Sequence, residues 1–176
     1  FYTEAMGQKA DRRLLLEKNL RLALERGEFV LYYQPKLSLK HNRVIGMEAL
    51  VRWQHPETGL VSPGEFIPVA EETGLIIPLG DWILRTACQQ TKAWLDSGLN
   101  PLKVAVNLSA RQFRQEGIFD QIKSVVGETG LPAEMLELEI TESMVMDDVE
   151  EAIATLERLR SQGISIAVDD FGTGYS

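Results

Sequence analysis

Short apolar runs of strand-like composition alternate with amphipathic helical patterns through most of this 176-residue chain. Because parallel strands need a crossover between them, which a helix usually supplies, this alternation predicts an α/β fold with a parallel sheet, open or closed into a barrel. The predicted strands cover residues 29–34, 44–53, 103–108, 136–140 and 164–168. The first two are separated only by a polar turn, so they are expected to pair in an antiparallel way.

Helical patterns fill the segments around these strands. Helices are predicted over residues 11–26 and 78–97, with Gly27 and Gly98 beyond their ends. Three more are expected from their start signals, which are Ser62 with Pro63 and Glu65, Ser109 with Gln112, and Asp147 or Asp148. Residues 1–10 show no pattern and are interpreted as a connector.

Composition limits the class of function. The net charge of −8 and the lack of a basic patch argue against DNA or RNA binding. No apolar run is long enough to span a bilayer, and the first residues of the sequence are not expected to act as a secretory signal. The single Cys88 follows an apolar helical pattern, which predicts a buried structural thiol in a reducing compartment. A phosphate substrate would then need bound divalent metal ions to offset the acidic charge.

Four side chains that carry oxygen ligands lie at or close to the ends of predicted strands: Glu48, Asn107, Glu139 and Asp169. Parallel α/β folds place active sites at the carboxyl ends of strands, and Mg²⁺ and Mn²⁺ prefer oxygen ligands. Any one of the four alone is more often a helix cap or part of a solvated turn. Four in succession predict a two-metal site for chemistry on phosphate, with Glu48, Asp169 and the adjacent Asp170 as the catalytic carboxylates.

Small residues precede three of the four ligands on the same strand face: Gly46, Ala105 and Ala167. They are compatible with a ligand cavity and equally with a tight barrel interior. Arg52 shares a face with Glu48, and either a phosphate anchor or a surface ion pair explains it.

Two other readings of the last residues are excluded. Asp170-Phe171-Gly172 has the form of a kinase metal-binding triplet, but no G-x-G-x-x-G loop and no H-R-D run accompany it. The run Gly172-Thr173-Gly174 is too short for a dinucleotide fingerprint.

From about residue 20 to its end, the chain resembles the EAL family of bacterial cyclic di-GMP phosphodiesterases. The motifs that carry the resemblance are Tyr33-Gln34-Pro35, Glu48-Ala49-Leu50-Val51-Arg52-Trp53, Asn107-Leu108-Ser109, Glu139-Ile140-Thr141-Glu142-Ser143 and Asp169-Asp170-Phe171-Gly172-Thr173-Gly174-Tyr175-Ser176. The resemblance implies a TIM-like (β/α)8 barrel with an antiparallel first strand, of which about five strands are present. It also implies Mg²⁺- or Mn²⁺-dependent hydrolysis of cyclic di-GMP to linear pGpG.

The resemblance also implies roles for individual residues. Glu48, Asn107, Glu139 and Asp169 correspond to metal ligands, and Asp170 to a group that reaches the second metal or its water. Gln34, Leu50 and Arg52 correspond to residues that contact the dinucleotide. Glu142 corresponds to a glutamate that stabilises the adjoining loop.

The resemblance sets the expected domain organisation. Residues 1–19 are similar to the connector after a GGDEF domain, and residues 20–176 to an EAL domain that stops before its last strands. The family's later lysine and later metal-binding glutamate have no counterpart, so we expect the chain to be part of a longer signalling protein. We expect this segment to be cytoplasmic even where the parent is membrane-attached, and a homodimer is the expected assembly.

Two alternatives to an enzyme remain open at this point. One is a catalytically inactive receptor that binds cyclic di-GMP without cleaving it, and the other is a regulatory or dimerisation element that binds no nucleotide. Every family motif present is intact, which favours the enzyme for the parent domain. The isolated 176-residue chain is expected to show little or no turnover.

Overall fold

A twisted sheet with helices packed on one face forms the body of the protein. The structure is a computed structural model that describes residues 4–99, 102–146 and 149–169. Within those ranges the strands are β1 (Phe29–Ser38), β2 (Arg43–His55), β3 (Gly59–Val61), β4 (Lys103–Asn107), β5 (Leu136–Thr141) and β6 (Ser165–Asp169). The helices are α1 (Glu4–Arg26), α2 (Pro63–Thr73), α3 (Ile76–Asp96), α4 (Ala110–Phe113), α5 (Ile118–Thr129), α6 (Glu142–Met146) and α7 (Val149–Ser161).

The sheet begins with an antiparallel hairpin and continues as parallel strands. Its order is β1-β2-β4-β5-β6, and the short β3 pairs with β2 from outside this path. β1 is antiparallel to β2, whereas β4 is parallel to β2, β5 to β4 and β6 to β5. The predicted α/β class, parallel sheet and antiparallel first strand are therefore confirmed.

Alternate residues of each strand form the hydrophobic core with the helices. In β2 these are Ala49, Val51 and Trp53, and their equivalents in the other strands are Val104, Val106, Leu136, Leu138 and Ile140. Helices α2, α3 and α5 complete the core with Phe66, Leu79, Ile83 and Ile122. The residues between them in sequence point to the opposite side of the sheet, because side chains alternate along a strand.

Several predicted boundaries differ from the structure. α1 begins at Glu4 and not at residue 11, because residues 4–10 are mostly good helix formers that extend the same helix. At the start of α2, the Ser62 side chain makes no capping hydrogen bond, and its backbone carbonyl accepts from the N–H of Glu65. The sequence patterns missed β3 and α6 because both are too short to show a period. Asp147 and Asp148, predicted to cap α7, lie outside the described residues.

Cys88 lies on the buried side of α3 and is fully enclosed. Burial raises the pKa of its thiol to about 12, so the nucleophilic thiolate is scarce at neutral pH. The prediction of a buried structural thiol is confirmed. In the described part of the chain, none of the helices has the length and apolar character needed to cross a membrane.

Candidate active site

The side of the sheet that faces away from the helices is polar, and we call it the polar face. Residues paired across neighbouring strands share a face, which places Gln34, Glu48, Ala105, Glu137 and Ser165 in one row. Flanking rows add Lys36, Gly46 and Lys103 on one side, and Asn107, Glu139 and Ala167 on the other. The four ligand candidates on described residues therefore belong to one surface, as predicted from the strand ends.

A lysine on the first strand crosses this face. Lys36 Nζ donates hydrogen bonds to Glu137 Oε1 at 2.7 Å and to Glu139 Oε1. β2 and β4 lie between β1 and β5, and three strand spacings amount to about 14 Å along a flat sheet. The direct contact therefore requires the sheet to curl toward its polar face.

Glu48 and Asn107 are joined directly. Asn107 Nδ2 donates to Glu48 Oε1 over 2.8 Å, which links the last residue of β4 to the middle of β2. Glu48 therefore does not lie at a strand end, because β2 continues to His55. An amide that donates through its nitrogen keeps its carbonyl oxygen for another partner. The pair thus presents one carboxylate and one amide oxygen on the polar face.

Glu139 is the most enclosed of the candidate ligands, with 8% of its surface exposed. Burial raises the pKa of its carboxyl, the contact with Lys36 opposes that rise, and the charges of Glu48 and Glu137 add to it. Because the charge of Glu48 contributes to the raised pKa of Glu139, the carboxylates of Glu48 and Glu139 lie within electrostatic range of each other. A bound cation would therefore stabilise both carboxylates in the ionised form.

Asp169 is the last residue of β6 and pairs with Thr141, the last residue of β5. Glu139 pairs with Ala167, so Asp169 lies one row beyond Glu139 on the polar face. Asp170, predicted to act with it, lies outside the described residues.

The donor set suits a hard divalent cation. Glu48, Asn107, Glu139 and Asp169 supply carboxylate and amide oxygens from four strands, which is the ligand chemistry of Mg²⁺ and Mn²⁺. Across the described ranges, however, no three acidic, histidine or cysteine side chains converge closely enough to form a metal group. One oxygen of Glu139 accepts a hydrogen bond from Lys36.

A cleft of about 450 Å³ opens beside the carboxyl ends of β2 and β4. Leu50, Arg52 and Asn107 line it together with apolar residues of α2 and α3. The guanidinium of Arg52 lies 5.7 Å from the ring centroid of Tyr32, and its Nη1 donates to the Val51 carbonyl at 2.8 Å. The cleft has the volume of a small-molecule site and a cation at its border. Gln34, the third predicted contact residue, is exposed on β1 opposite Glu48.

The loop that follows Asn107 is held by a capping box. Ser109 Oγ accepts from the backbone N–H of Gln112, and the Gln112 side chain returns to the Ser109 backbone N–H. This confirms the start signal predicted at Ser109 and Gln112. The buried Gln112 amide packs against Gly80 of α3, where a Cβ atom would lie 1.8 Å from Gln112 Nε2.

Gly80→Ala is therefore expected to expel the Gln112 side chain and dismantle the capping box. Because overpacking in a filled interior costs more than alanine gains as a helix former, we expect a loss of about 1–3 kcal/mol in unfolding free energy. Chemical denaturation checks this, with Gly127→Ala as control, since its Cβ would meet no atom within 4 Å. Equal effects of the two substitutions would contradict the packing argument.

Glu142, predicted to stabilise the adjoining loop, is the first residue of α6 and follows β5 directly. Its position between Glu139 and the next helix is compatible with that role, which stays a prediction.

Sequence reasoning missed Lys36 and Glu137. Both lie two residues from a predicted site residue, Gln34 and Glu139 respectively, and so share its strand face. The two-residue alternation of side chains along a strand could have placed Lys36 and Glu137 on the polar face. It does not show that side chains of β1 and β5 contact each other.

Comparison with known proteins identifies the family to which this fold and site belong. The EAL domain family profile matches residues 17–176, and the chain belongs to that family. The chain is 46% identical over 176 residues to MucR of Pseudomonas aeruginosa, a bifunctional diguanylate cyclase/cyclic di-GMP phosphodiesterase. It is 43% identical over 175 residues to PdeR of Escherichia coli, a cyclic di-GMP phosphodiesterase. The match covers 100% and 99% of the chain respectively, but the chain spans only 26% of each relative's length.

Solved structures agree with this assignment. The PaMucR phosphodiesterase in its c-di-GMP complex superposes with a TM-score of 0.88 at 47% identity, covering 92% of this chain and 66% of that one. The FimX EAL domain of Xanthomonas citri, in complex with c-diGMP, gives a TM-score of 0.82 at 25% identity, covering 95% and 64%.

Proposed function

We propose that this chain is the part of an EAL phosphodiesterase domain that carries most of its metal and nucleotide site, and that the domain hydrolyses cyclic di-GMP to linear pGpG. The observation that carries the proposal is the 2.8 Å hydrogen bond between Glu48 in the middle of β2 and Asn107 at the end of β4, beside Glu139 on the same face. The similarity to MucR and PdeR, both named as cyclic di-GMP phosphodiesterases, supports it.

We further propose that the sheet forms the first part of a TIM-like barrel whose interior is the polar face. The Lys36 contacts across β2 and β4 support a curled sheet, and helices cover its other face. In such barrels the reacting groups lie at or near the carboxyl ends of the strands. Asn107 and Asp169 are the last residues of β4 and β6, and Glu48, in the middle of β2, is hydrogen-bonded to Asn107.

Glu48, Asn107, Glu139, Asp169 and Asp170 would hold two Mg²⁺ or Mn²⁺ ions. When bound, such ions neutralise phosphate charge and lower the pKa of water, which supplies the nucleophile for phosphodiester hydrolysis. The protein's own contribution is positioning. Asn107 fixes the Glu48 carboxylate through its amide nitrogen, and the capping box after Asn107 orders the loop that borders the cleft.

The cleft would receive part of the cyclic dinucleotide, with Leu50 and Arg52 at its border and Gln34 nearby on β1. Arg52 is held by the Val51 carbonyl and the Tyr32 ring, so its guanidinium is oriented before a phosphate arrives. Arginine binds phosphate oxygens through paired N–H donors, which suits the bridging phosphates of the ligand.

Arg52→Ala should weaken the binding of cyclic di-GMP by about 10- to 100-fold, because a charged hydrogen bond to phosphate contributes about 1.5–3 kcal/mol. Calorimetric titration without divalent metal measures this affinity in the absence of turnover. Arg43→Ala is the matched control, since it removes the same charge from the opposite end of β2. Equal affinities for the Arg52 variant and the unmodified protein would remove Arg52 from the nucleotide site.

A receptor that binds cyclic di-GMP without cleaving it is the second candidate function. The engagement of Glu139 by Lys36 favours it, because that contact occupies a carboxylate needed for metal binding. Detection of chelator-sensitive pGpG would decide for the enzyme.

We also propose a cytoplasmic location, a homodimeric assembly and an upstream GGDEF or sensor domain in the whole protein. The single thiol, buried in α3, is compatible with a reducing compartment. The similarity to MucR supports the multidomain organisation, because MucR is named as both a diguanylate cyclase and a cyclic di-GMP phosphodiesterase.

A further inference from the structure

Lys36 lies on the polar face, and the proposed reaction does not use it. Its ammonium lies between Glu137 and Glu139 and donates to Oε1 of each. Glu139 is a proposed metal ligand, whereas Glu137 lies one row further from the strand ends. A cation of the protein itself therefore occupies a carboxylate that the divalent ions would need.

Small residues lie beside Lys36 and beside one of its partners. Gly46 on β2 pairs with Lys36, and Ala105 on β4 pairs with Glu137. Gly46 is further constrained, because a Cβ there would meet the Lys103 carbonyl oxygen at 3.0 Å.

The other lysine of the polar face is placed differently. Lys103 Nζ donates to Ser165 Oγ at 2.6 Å. Within the described residues, Lys103 forms no ion pair with a carboxylate, in contrast to Lys36. The two lysines thus carry equal charge on one surface, but only Lys36 contacts a proposed metal ligand.

We propose that Lys36 is a positioning residue and a built-in counter-cation, which stabilises Glu137 and Glu139 in the metal-free protein and competes with divalent ions for Glu139. The inference rests on the proposed metal site. A metal ion bound to the Glu139 carboxylate would lie close to the ammonium on a partly desolvated surface, where like charges repel strongly. Lys36 therefore lowers the affinity of the site for divalent ions. As a result, the site binds metal only when the concentration of free ion is high enough.

The test is the binding of Mn²⁺ to the intact protein, followed by electron paramagnetic resonance of the free ion. Lys36→Met should tighten Mn²⁺ binding by about tenfold or more, because it removes the competing charge at nearly constant side-chain length. Lys36→Arg keeps the charge and should stay within about threefold of the unmodified protein, as should Lys103→Met, which removes an equal charge at Ser165. A merely structural lysine would not produce tighter metal binding when removed.

Thermal unfolding gives a second readout. Without metal, Lys36→Met should unfold at a lower temperature than the unmodified protein. Mn²⁺ should raise the Tm of Lys36→Met by more than it raises the Tm of the unmodified protein, because a ligand that binds the folded state more tightly stabilises it more. If the metal-free variant does not fold at all, folding on addition of Mn²⁺ supports the proposal, and failure to fold with Mn²⁺ overturns it.

Glu139→Gln separates this inference from the proposed function. If Glu139→Gln loses Mn²⁺ binding and Lys36→Met binds no more tightly than the unmodified protein, the counter-cation is overturned and the metal site stands. If Glu139→Gln binds Mn²⁺ as well as the unmodified protein, or if neither the unmodified protein nor Lys36→Met binds it, the metal assignment and the inference both fail.

Discussion

Glu48→Gln is expected to reduce kcat for cyclic di-GMP hydrolysis by about a thousandfold or more, because the loss of a charged metal ligand removes several kcal/mol of transition-state stabilisation. The amide has the shape of the carboxylate, and its oxygen can still accept from Asn107 Nδ2, so the fold is expected to persist. Steady-state kinetics with saturating Mn²⁺ measures the loss, and circular dichroism checks the fold.

Glu137→Gln is the control for that substitution. It neutralises a carboxylate in the same row of the polar face, which the proposed mechanism does not use as a ligand. We expect its kcat to stay within about tenfold of the unmodified enzyme. Retention of full turnover by Glu48→Gln, or equal losses in the two variants, would contradict the assignment of Glu48 as a ligand.

Trp53→Ala is expected to lower the free energy of unfolding by about 3–5 kcal/mol, the usual cost of removing a large buried aromatic ring. Trp53 is 1% exposed, and its ring centroid lies 5.9 Å from those of both Phe29 and Phe66. Its Nε1 also donates to Glu28 Oε2 at 3.0 Å, so the substitution removes a hydrogen bond together with the packing.

Denaturant unfolding of Trp53→Ala, beside Trp53→Phe, measures this cost. Phenylalanine keeps most of the ring volume and loses the N–H donor, so a smaller loss of about 1–2 kcal/mol is expected for it. A loss below about 1 kcal/mol for Trp53→Ala would show that this aromatic cluster does not anchor the sheet.

The run from Glu48 to Trp53 illustrates which features of the fold and of the candidate site can be predicted from the sequence. Alternation along one strand separates Glu48, Leu50 and Arg52 on the polar face from buried Ala49, Val51 and Trp53. Period two and strand ends were sufficient to predict the parallel sheet and the shared surface of four candidate ligands. Their roles as ligands remain predictions.

The remaining features depend on shape, which local patterns do not encode. The contact of Lys36 with Glu137 and Glu139 joins residues about one hundred positions apart, and it exists only because the sheet curls. The small residues Gly46 and Ala105 were open to two interpretations in the sequence. In the structure Gly46 pairs with Lys36 and Ala105 pairs with Glu137, so both lie beside residues of that contact.

Incubation of the intact protein with cyclic di-GMP and Mn²⁺, with and without a chelator, tests the central claim most directly. Chromatography would follow the product. We predict that linear pGpG accumulates with Mn²⁺ and that the chelator abolishes its formation. Bound but uncleaved cyclic di-GMP under both conditions would contradict the enzyme and leave the receptor function.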